Sequence, residues 1–277
     1  MDSRQSPTPD HQRGTPGEAR ALLRSLRSLG EVSAPPALSS IVLDRLGVGI
    51  AYFPLETPVG RIFVAYSRVG LEAVTRADTA LDFEQAVQTW LDRTLHPAAE
   101  PPATLVAALT QHLTGTGKSS LRFNLSRLSE FERAVLLKAL EIPRGEVRPY
   151  AWIAREIGSP KAVRAVGTAL AHNPIPLFIP CHRVVRSDGT LGQYSMGGID
   201  IKRAILSAEG LDPDVLELMA QSRLRFIGSA TSHYFCYPTC HGVRDIADQH
   251  RVYFASEREA AAAGYRPCES CRPAAIA

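Results

Sequence analysis

The sequence predicts an α+β protein with three parts: a small β-rich N-terminal part, a helical central part and a small cysteine-bearing module at the C-terminal end. Three observations predict this arrangement. From Gly49, short β-rich runs are separated by Pro-Val-Gly and Val-Gly-Leu breaks. From Ser129, apolar residues recur at helical spacing, and four of the five cysteines lie in the last 42 residues.

Length and composition are those of an ordinary globular protein. The 277 residues exceed the usual size of one domain, and 45% hydrophobic residues with 21% charged residues supply enough material for a core. A net charge of +3 permits an anionic partner without requiring one. No apolar run reaches the roughly 20 residues of a membrane span, and the polar start lacks the apolar stretch of a signal peptide. We therefore expect a cytoplasmic protein with reduced thiols and no membrane partner.

The N-terminal part of the chain divides into three segments. Residues 1–17 have no apolar periodicity and predict a disordered tail. Residues 18–46 predict a helical extension, because leucines recur there at helical spacing. Residues 47–125 predict a β-rich domain, in which "GIAYFPLETPVGRIFVAYSRVGLEAVTRA" indicates a meander and "FEQAVQTWLDRTL" indicates a helix.

The helical part is predicted over residues 126–212. Its first helix, "LSEFERAVLLKALEI", opens with Ser129 and carries Glu132 three residues later, which is the spacing of a capping box. Two more helices, "AWIAREIG" and "SPKAVRAVGTALAHNP", indicate a helix-turn-helix, and the second is predicted to begin with a Ser159 cap followed by Pro160.

The second helix of this pair has two distinct faces. One face is apolar and should pack inward; it comprises Val163, Val166 and Leu170. A neighbouring face carries only small side chains, with Arg164 among them; it comprises Ala162, Ala165 and Ala169. Small side chains allow close approach to another surface, although an alanine-rich surface helix without a partner is the alternative.

Cys181 stands at the end of the apolar, proline-punctuated run "NPIPLFIPCHRVV" and is followed directly by His182. A free thiol has a pKa near 8.5, so only a few per cent is thiolate at neutral pH unless a base or a positive charge assists. His182 is a candidate base. Taken alone, the Cys-His pair leaves two interpretations open, a small core residue or a reactive thiol.

The whole segment from "RGEVRPY" to "ILSAEG" resembles the catalytic domain of O6-alkylguanine-DNA alkyltransferases, through Pro-Cys-His-Arg-Val, Arg-Ala-Val-Gly, Asn-Pro-x-Pro and Ala-Glu-Gly at the family's spacing. Residues 49–125 are similar to that family's N-terminal β-sheet domain through "ETPVGRIFVAYS". The resemblance implies a winged-helix-like catalytic and DNA-binding domain. It implies that Cys181 accepts the alkyl group once, that His182 deprotonates Cys181 through a water, and that Glu209 orients His182.

The same resemblance implies how double-stranded DNA is held. The target atom is inaccessible within a duplex, so the guanine must be flipped out. Arg164 would fill the space it leaves, Tyr150 would help rotate the nucleotide, and Asn173 would link the recognition helix to the active site. Tyr194 and Ser195 would belong to the loop over the pocket. The small-residue helix face would enter the minor groove. The chain has no cysteine before Cys181, so no zinc is expected in the N-terminal half.

The last four cysteines form two close pairs, Cys-x3-Cys and Cys-x2-Cys, in "FCYPTC" and "RPCESC". Four thiolates at such spacing predict one tetrahedral zinc ion, held by Cys236, Cys240, Cys268 and Cys271. Two disulfides are the alternative. Because the module is small, we expect its folding to depend on the metal.

The module, predicted over residues 223–277 after a linker at 213–222, resembles the zinc-binding module of the bacterial protein Ada. That resemblance implies that Cys236 is a second acceptor, taking methyl groups from DNA phosphotriesters. Two departures weaken it: "HGVR" replaces the basic pair after the second cysteine, and little sequence precedes Ile227 for an N-terminal helix. DNA-backbone binding without chemistry is the alternative for the module.

Two other functions stay open at this point. One is a damage sensor that flips and holds alkylated guanine without transfer, against which the intact "PCHRV" argues. The other is a zinc-dependent DNA-binding or regulatory protein with a vestigial alkyltransferase half. For either function, or for the alkyltransferase, we expect a monomer.

Overall fold

The computed structural model describes residues 49–91, 93–117 and 120–273, together with residues 38, 41–43 and 46. The disordered tail predicted for residues 1–17 lies outside the described residues. So does most of the helical extension predicted for residues 18–46, of which residues 38, 41–43 and 46 are helical. In the described part of the chain, no helix has the length and apolar character that crossing a membrane requires.

The N-terminal domain is built on a four-stranded sheet in the order β3-β2-β1-β4. The predicted meander is present as β1 (Ile50–Thr57), β2 (Gly60–Tyr66) and β3 (Leu71–Arg76), which pair antiparallel. A short fourth strand, β4 (Leu95–Pro97), pairs parallel with β1 and has no signal in the sequence, because three residues carry no periodicity.

Two helices belong to this domain. Helix α1 (Ala80–Gln88) begins in a capping box between Thr79 and Asp82 and buries Phe83 and Val87 against the sheet. It starts earlier and ends earlier than the predicted helix "FEQAVQTWLDRTL". Helix α2 (Ala103–Thr114) follows and ends at Gly115, whose left-handed φ of 70° suits a residue without a Cβ.

The helical centre consists of α3 (Glu130–Leu140), α4 (Tyr150–Glu156) and α5 (Val163–Ala171). The predicted capping box is confirmed, because Ser129 Oγ accepts from the Glu132 backbone N–H and the Glu132 carboxylate accepts from Ser129 N–H. Strand β5 (Arg148–Pro149) lies just before α4 and strand β6 (Val184–Val185) lies after α5, and the two form a parallel pair that joins the start of α4 to the segment after His182.

Helix α5 corrects two sequence predictions. The predicted Ser159 cap is wrong, because residues 159–162 form a turn closed by Ala162 N–H donating to Ser159 O, and Ala162 is the residue that precedes the helix. Ala169, expected on the small-residue face, is buried in the core next to Val166 and Leu170. The exposed strip of α5 therefore consists of Arg164, Ala165, Thr168 and Ala171.

Helix α6 (Gly198–Ala208) is followed by α7 (Pro213–Gln221), which occupies the predicted linker. The reason lies in Asp212, whose carboxylate accepts from the backbone N–H groups of Asp214 and Val215, while Pro213 has the φ of a first helical residue. A capped helix therefore forms most of the segment that was predicted as a linker.

The C-terminal module contains a four-stranded sheet in the order β10-β8-β7-β9. Its strands are β7 (Phe226–Ser229), β8 (Tyr234–Cys236), β9 (Arg251–Phe254) and β10 (Arg266–Pro267), with short helices α8 (His241–Arg244) and α9 (Glu257–Ala262) beside them. Buried side chains of the module join the same hydrophobic cluster as those of the helical centre. The α+β fold class predicted from the sequence is confirmed.

Candidate active site and metal centre

Cys181 lies buried at the start of a 3-10 turn, Cys181–Arg183, directly after Pro180. Asn173, at the end of α5, fixes this segment from the other side. Its side-chain amide donates to Ile179 O at 2.9 Å and to Cys181 Sγ at 3.1 Å, and its Oδ1 accepts from Ile175 N–H at 3.0 Å. Through these hydrogen bonds, Asn173 connects the end of α5 to the proline-rich loop and to the thiol.

Burial dominates the electrostatics of the thiol. It raises the pKa of Cys181, while the hydrogen bond from Asn173 and the charge of Lys202 act in the opposite direction. The thiol form is thus favoured at rest, and a base is needed to generate the thiolate.

His182 is buried beside Cys181 and has one defined partner. Its Nε2 lies 3.0 Å from Glu209 Oε1, and its Nδ1 has no hydrogen-bond partner among the described residues. Burial lowers the pKa of His182, although Glu209 opposes this effect. A carboxylate accepts hydrogen bonds, so a neutral His182 carries its proton on Nε2 and leaves the Nδ1 lone pair free as a base.

Glu209 follows the last turn of α6 and is nearly enclosed, with 5% of its side chain exposed. Burial alone would raise its pKa, but hydrogen bonds from His182 and Arg183 hold that pKa at about 2. Arg183 donates Nε to Oε2 at 2.9 Å and a terminal nitrogen to Oε1 at 2.7 Å, and Arg144 lies 3.8 Å away. The carboxylate stays charged and fixed in orientation.

Sequence reasoning missed two charged residues of this cluster, Arg183 and Lys202. Lys202 is fully buried on α6, donates Nζ to the carbonyls of Val184 and Leu191, and has its pKa lowered to about 8 by burial. Its position was detectable, because it shares the inward face of α6 with Ile205 and Leu206. A lysine on a buried face indicates a structural or chemical role.

The remaining predicted residues lie at different distances from the thiol. Tyr194 is buried with its ring edge-on to His182 at 6.2 Å between centroids. Tyr150 begins α4 and packs beside Gly167 and Gly192. Arg164 is exposed on α5, and Ser195 is exposed on the wall of a cavity of about 480 Å³ that Asn173 also lines. The structure brings together Asn173, Cys181, His182, Glu209 and Tyr194, and leaves Arg164 and Ser195 at the surface.

The four cysteines of the module converge on one point, with their sulfur atoms all within 4.8 Å of one another. The sheet explains the convergence: β8 ends at Cys236, and β10 pairs with β8 so that Cys268 N–H donates to Phe235 O at 3.0 Å. Four sulfurs around a Zn–S distance of about 2.3 Å form a tetrahedron of this size. Three of the cysteines are buried and Cys268 is half-buried. The cluster fits one zinc ion.

Two segments of the chain match known family models. Residues 130–211 match the family model "6-O-methylguanine DNA methyltransferase, DNA binding domain", and residues 220–274 match "Metal binding domain of Ada". A solved structure titled Mycobacterium tuberculosis OGT in complex with DNA is 31% identical, and the match covers 61% of this chain and 99% of that one with a TM-score of 0.49. Residues 130–211 therefore contain the DNA-binding domain of the 6-O-methylguanine DNA methyltransferase family.

Among curated members of this methyltransferase family, the methylated-DNA–protein-cysteine methyltransferase of Rattus norvegicus is 41% identical over 123 residues, 44% of this chain and 53% of that protein. The protein of the same name from Cricetulus griseus is 37% identical over 149 residues, 52% of this chain and 66% of that protein. The chain therefore spans about half to two thirds of the length of these relatives. The match to the methyltransferase family includes Cys181, His182 and Glu209, and the match to the Ada domain includes all four clustered cysteines.

Proposed function

We propose that this protein repairs DNA by transferring the alkyl group of O6-methylguanine to Cys181, once per molecule. The observation that carries the proposal is the Asn173–Cys181–His182–Glu209 cluster inside the segment that matches the methyltransferase family. In this cluster the buried thiol is the nucleophile, the neutral imidazole is the base, and the fixed carboxylate orients the imidazole.

The reaction balances with these residues alone. His182 Nδ1 takes the thiol proton through a water, Cys181 Sγ forms a bond to the methyl carbon, and the bond from that carbon to guanine O6 breaks with its electron pair going to the base. The restored guanine takes up one proton from the Tyr150 hydroxyl, and the proton held on the His182 imidazolium replaces it. Because a thiolate is a poor leaving group from a methyl thioether, water does not regenerate Cys181.

DNA recognition follows from the exposed strip of α5. Arg164, Ala165 and Thr168 face solvent, and two of the three are small enough for close approach to a minor groove. In this proposal the target guanine is flipped out, Arg164 fills the space it leaves, and Ser195 with Tyr194 borders the pocket. We propose that the protein acts as a monomer in the cytoplasm, where its five thiols stay reduced.

Mass spectrometry after incubation with duplex DNA carrying O6-methylguanine tests the proposal. The Cys181 peptide should gain one methyl mass, and the lesion should disappear in a one-to-one ratio with protein. Cys181→Ala should leave the lesion in place, whereas Ser222→Ala, at an exposed position outside this site, should not alter the modified residue. Lesion removal by Cys181→Ala would refute the proposal.

A second acceptor role for Cys236 is a separate proposal that the match to the Ada metal-binding domain supports. Zinc coordination keeps a cysteine sulfur deprotonated at neutral pH, as a nucleophile requires. Against it, Cys236 is only 5% exposed, so a phosphotriester would have to reach a nearly enclosed sulfur. The same mass measurement on phosphotriester DNA decides the matter, since an unmodified Cys236 peptide means that the sulfur only binds metal.

A further inference from the structure

A groove of about 510 Å³ runs between the alkyltransferase half and the Ada-type module. One side is formed by Pro149, Ala151 and Arg186, which flank the start of α4 and the end of β6. The other side is formed by Tyr237 and by the N-terminal turn of α9. The groove exists only because the two domains are docked together.

The lining of the groove is mostly apolar, and its charged side chains are mainly arginines. Four arginines line it, Arg155, Arg186, Arg225 and Arg258, against one lining carboxylate, Glu257. Arg186 and Arg258 are exposed and form no ion pair among the described residues, although Asp188 lies close enough to Arg186 and Arg225 for the charges to interact. The lining is therefore complementary to an anion of extended shape.

The other two arginines are anchored by neighbouring backbone. Arg225 donates to the carbonyls of Ala220 and Leu224, each at 3.3 Å, and Arg155 donates to the carbonyl of Arg272 and lies 3.9 Å from Glu156. Anchored guanidinium groups lose little further side-chain entropy on binding.

The groove starts beside the candidate active site. Pro149 and Ala151 line it on either side of Tyr150 in sequence. Arg186 Cγ and the Tyr150 hydroxyl oxygen each lie 3.6 Å from the point where a Cβ on Gly192 would stand, so these two side chains flank the same glycine. A strand whose guanine reaches Tyr150 passes the end of this groove.

We propose that the groove binds the phosphodiester backbone of the strand that carries the flipped guanine, next to that nucleotide. Both domains then contact the same duplex. This inference rests on the proposed function for its choice of ligand. Guanidinium groups bind phosphate oxygens in pairs of hydrogen bonds, and each phosphate neutralised releases a counterion, which makes the affinity salt-dependent.

The test measures binding of the full-length protein to an undamaged fluorescent duplex across a series of salt concentrations. Arg186→Gln with Arg258→Gln should weaken binding roughly tenfold and flatten the log–log salt slope by about 2, one unit per phosphate contact. Arg186→Lys with Arg258→Lys should keep most of the slope, because the charge stays. The matched control is Arg61→Gln with Arg266→Gln, which removes the same charge from exposed positions outside the groove.

The proposal is overturned if the groove variant and the control variant show the same salt slope, whether both bind DNA more weakly than the wild type or neither does. Methyl transfer by the wild-type protein is measured separately on O6-methylguanine duplex. An unmodified Cys181 there refutes the proposed function alone, since the binding series still shows whether the groove holds DNA.

Discussion

The surroundings of His182 determine which ring nitrogen carries the proton, and they leave a free lone pair for the proposed base. Glu209 accepts a hydrogen bond from His182 Nε2, so the free lone pair of the imidazole lies on Nδ1. That nitrogen has no partner among the described residues. Arg183 binds the same carboxylate through two nitrogens, which fixes Glu209 and through it the imidazole ring. Two neighbouring residues in sequence, His182 and Arg183, therefore share one distant carboxylate.

At Asn173 we predict a change in thiol reactivity. Asn173→Ala removes the amide that donates to Cys181 Sγ, so burial is less opposed and the thiol pKa should rise. The reaction of Cys181 with iodoacetamide should then require higher pH than in the wild type. Asn124→Ala is the control, since it removes an asparagine bound to Glu72 instead. An unchanged pH profile in Asn173→Ala would contradict this role.

At Glu209 we predict a pH dependence of stability. The folded-state pKa of about 2 lies below the ordinary value of 4.5, so the carboxylate stabilises the fold above pH 4.5 and this contribution is lost as pH falls towards 2. Its size is roughly 3 kcal/mol. In urea unfolding, Glu209→Gln should be less stable than the wild type at pH 7. Between pH 4.5 and pH 3 it should lose less unfolding free energy than the wild type does. Glu269→Gln, at an exposed position, should follow the wild type.

At the scale of elements, the helices that hold the site depend on their first turns. Helix α3 packs against α4 and α5, and its capping box satisfies two backbone N–H groups that would otherwise face the helix end unpaired. Helix α7 uses Asp212 in the same way, which converts a predicted linker into a rigid connection to the module.

For α3 we predict that Ser129→Ala costs about 1 kcal/mol of unfolding free energy. In a chain of this size the melting temperature should fall by roughly 2 to 4 °C. The control is Ser222→Ala, because Ser222 lies exposed after the end of α7 and its side chain makes no hydrogen bond among the described residues. A loss as large in Ser222→Ala would show that the capping box is not the cause.

At the scale of the whole molecule, the metal cluster is linked to the helical centre through the residues on either side of Cys240. Thr239 Oγ1 accepts from Val147 N–H at 2.9 Å, and His241 contacts Glu146 through both its backbone N–H and its ring. Val147 directly precedes β5, and β5 pairs with β6, the strand that follows the Cys181–Arg183 turn in sequence. The docked module therefore supports the strand pair on which Tyr150 and His182 depend.

Removal of zinc should loosen this contact. The chain has two tryptophans, and the Arg272 guanidinium of the module lies 5.7 Å from the ring of Trp152. In a Trp90→Phe background, Trp152 reports alone. A strong chelator should release about one zinc per chain, lower the melting temperature, and shift Trp152 emission to longer wavelength as the module undocks. An unchanged emission after complete metal loss would show that the interface holds without the metal.

The sequence by itself determined the features that depend on local spacing. Ser129 with Glu132 predicted a helix start, and two closely spaced Cys pairs predicted the zinc cluster. Cys181 and His182 became the candidate nucleophile and base only through the resemblance of the surrounding segment to the alkyltransferase family. The α+β class followed from the change in periodicity along the chain.

Only the tertiary structure decided the contacts between distant segments. Several contacts join residues that are far apart in sequence. Arg183 pairs with Glu209, Lys202 donates to Val184 O, β4 pairs with β1, and Thr239 bonds to Val147. No periodicity encodes such pairs, since they depend on which surfaces meet when the chain packs. The arginine groove between the domains is the clearest case, because it forms only where two separately predicted domains come together.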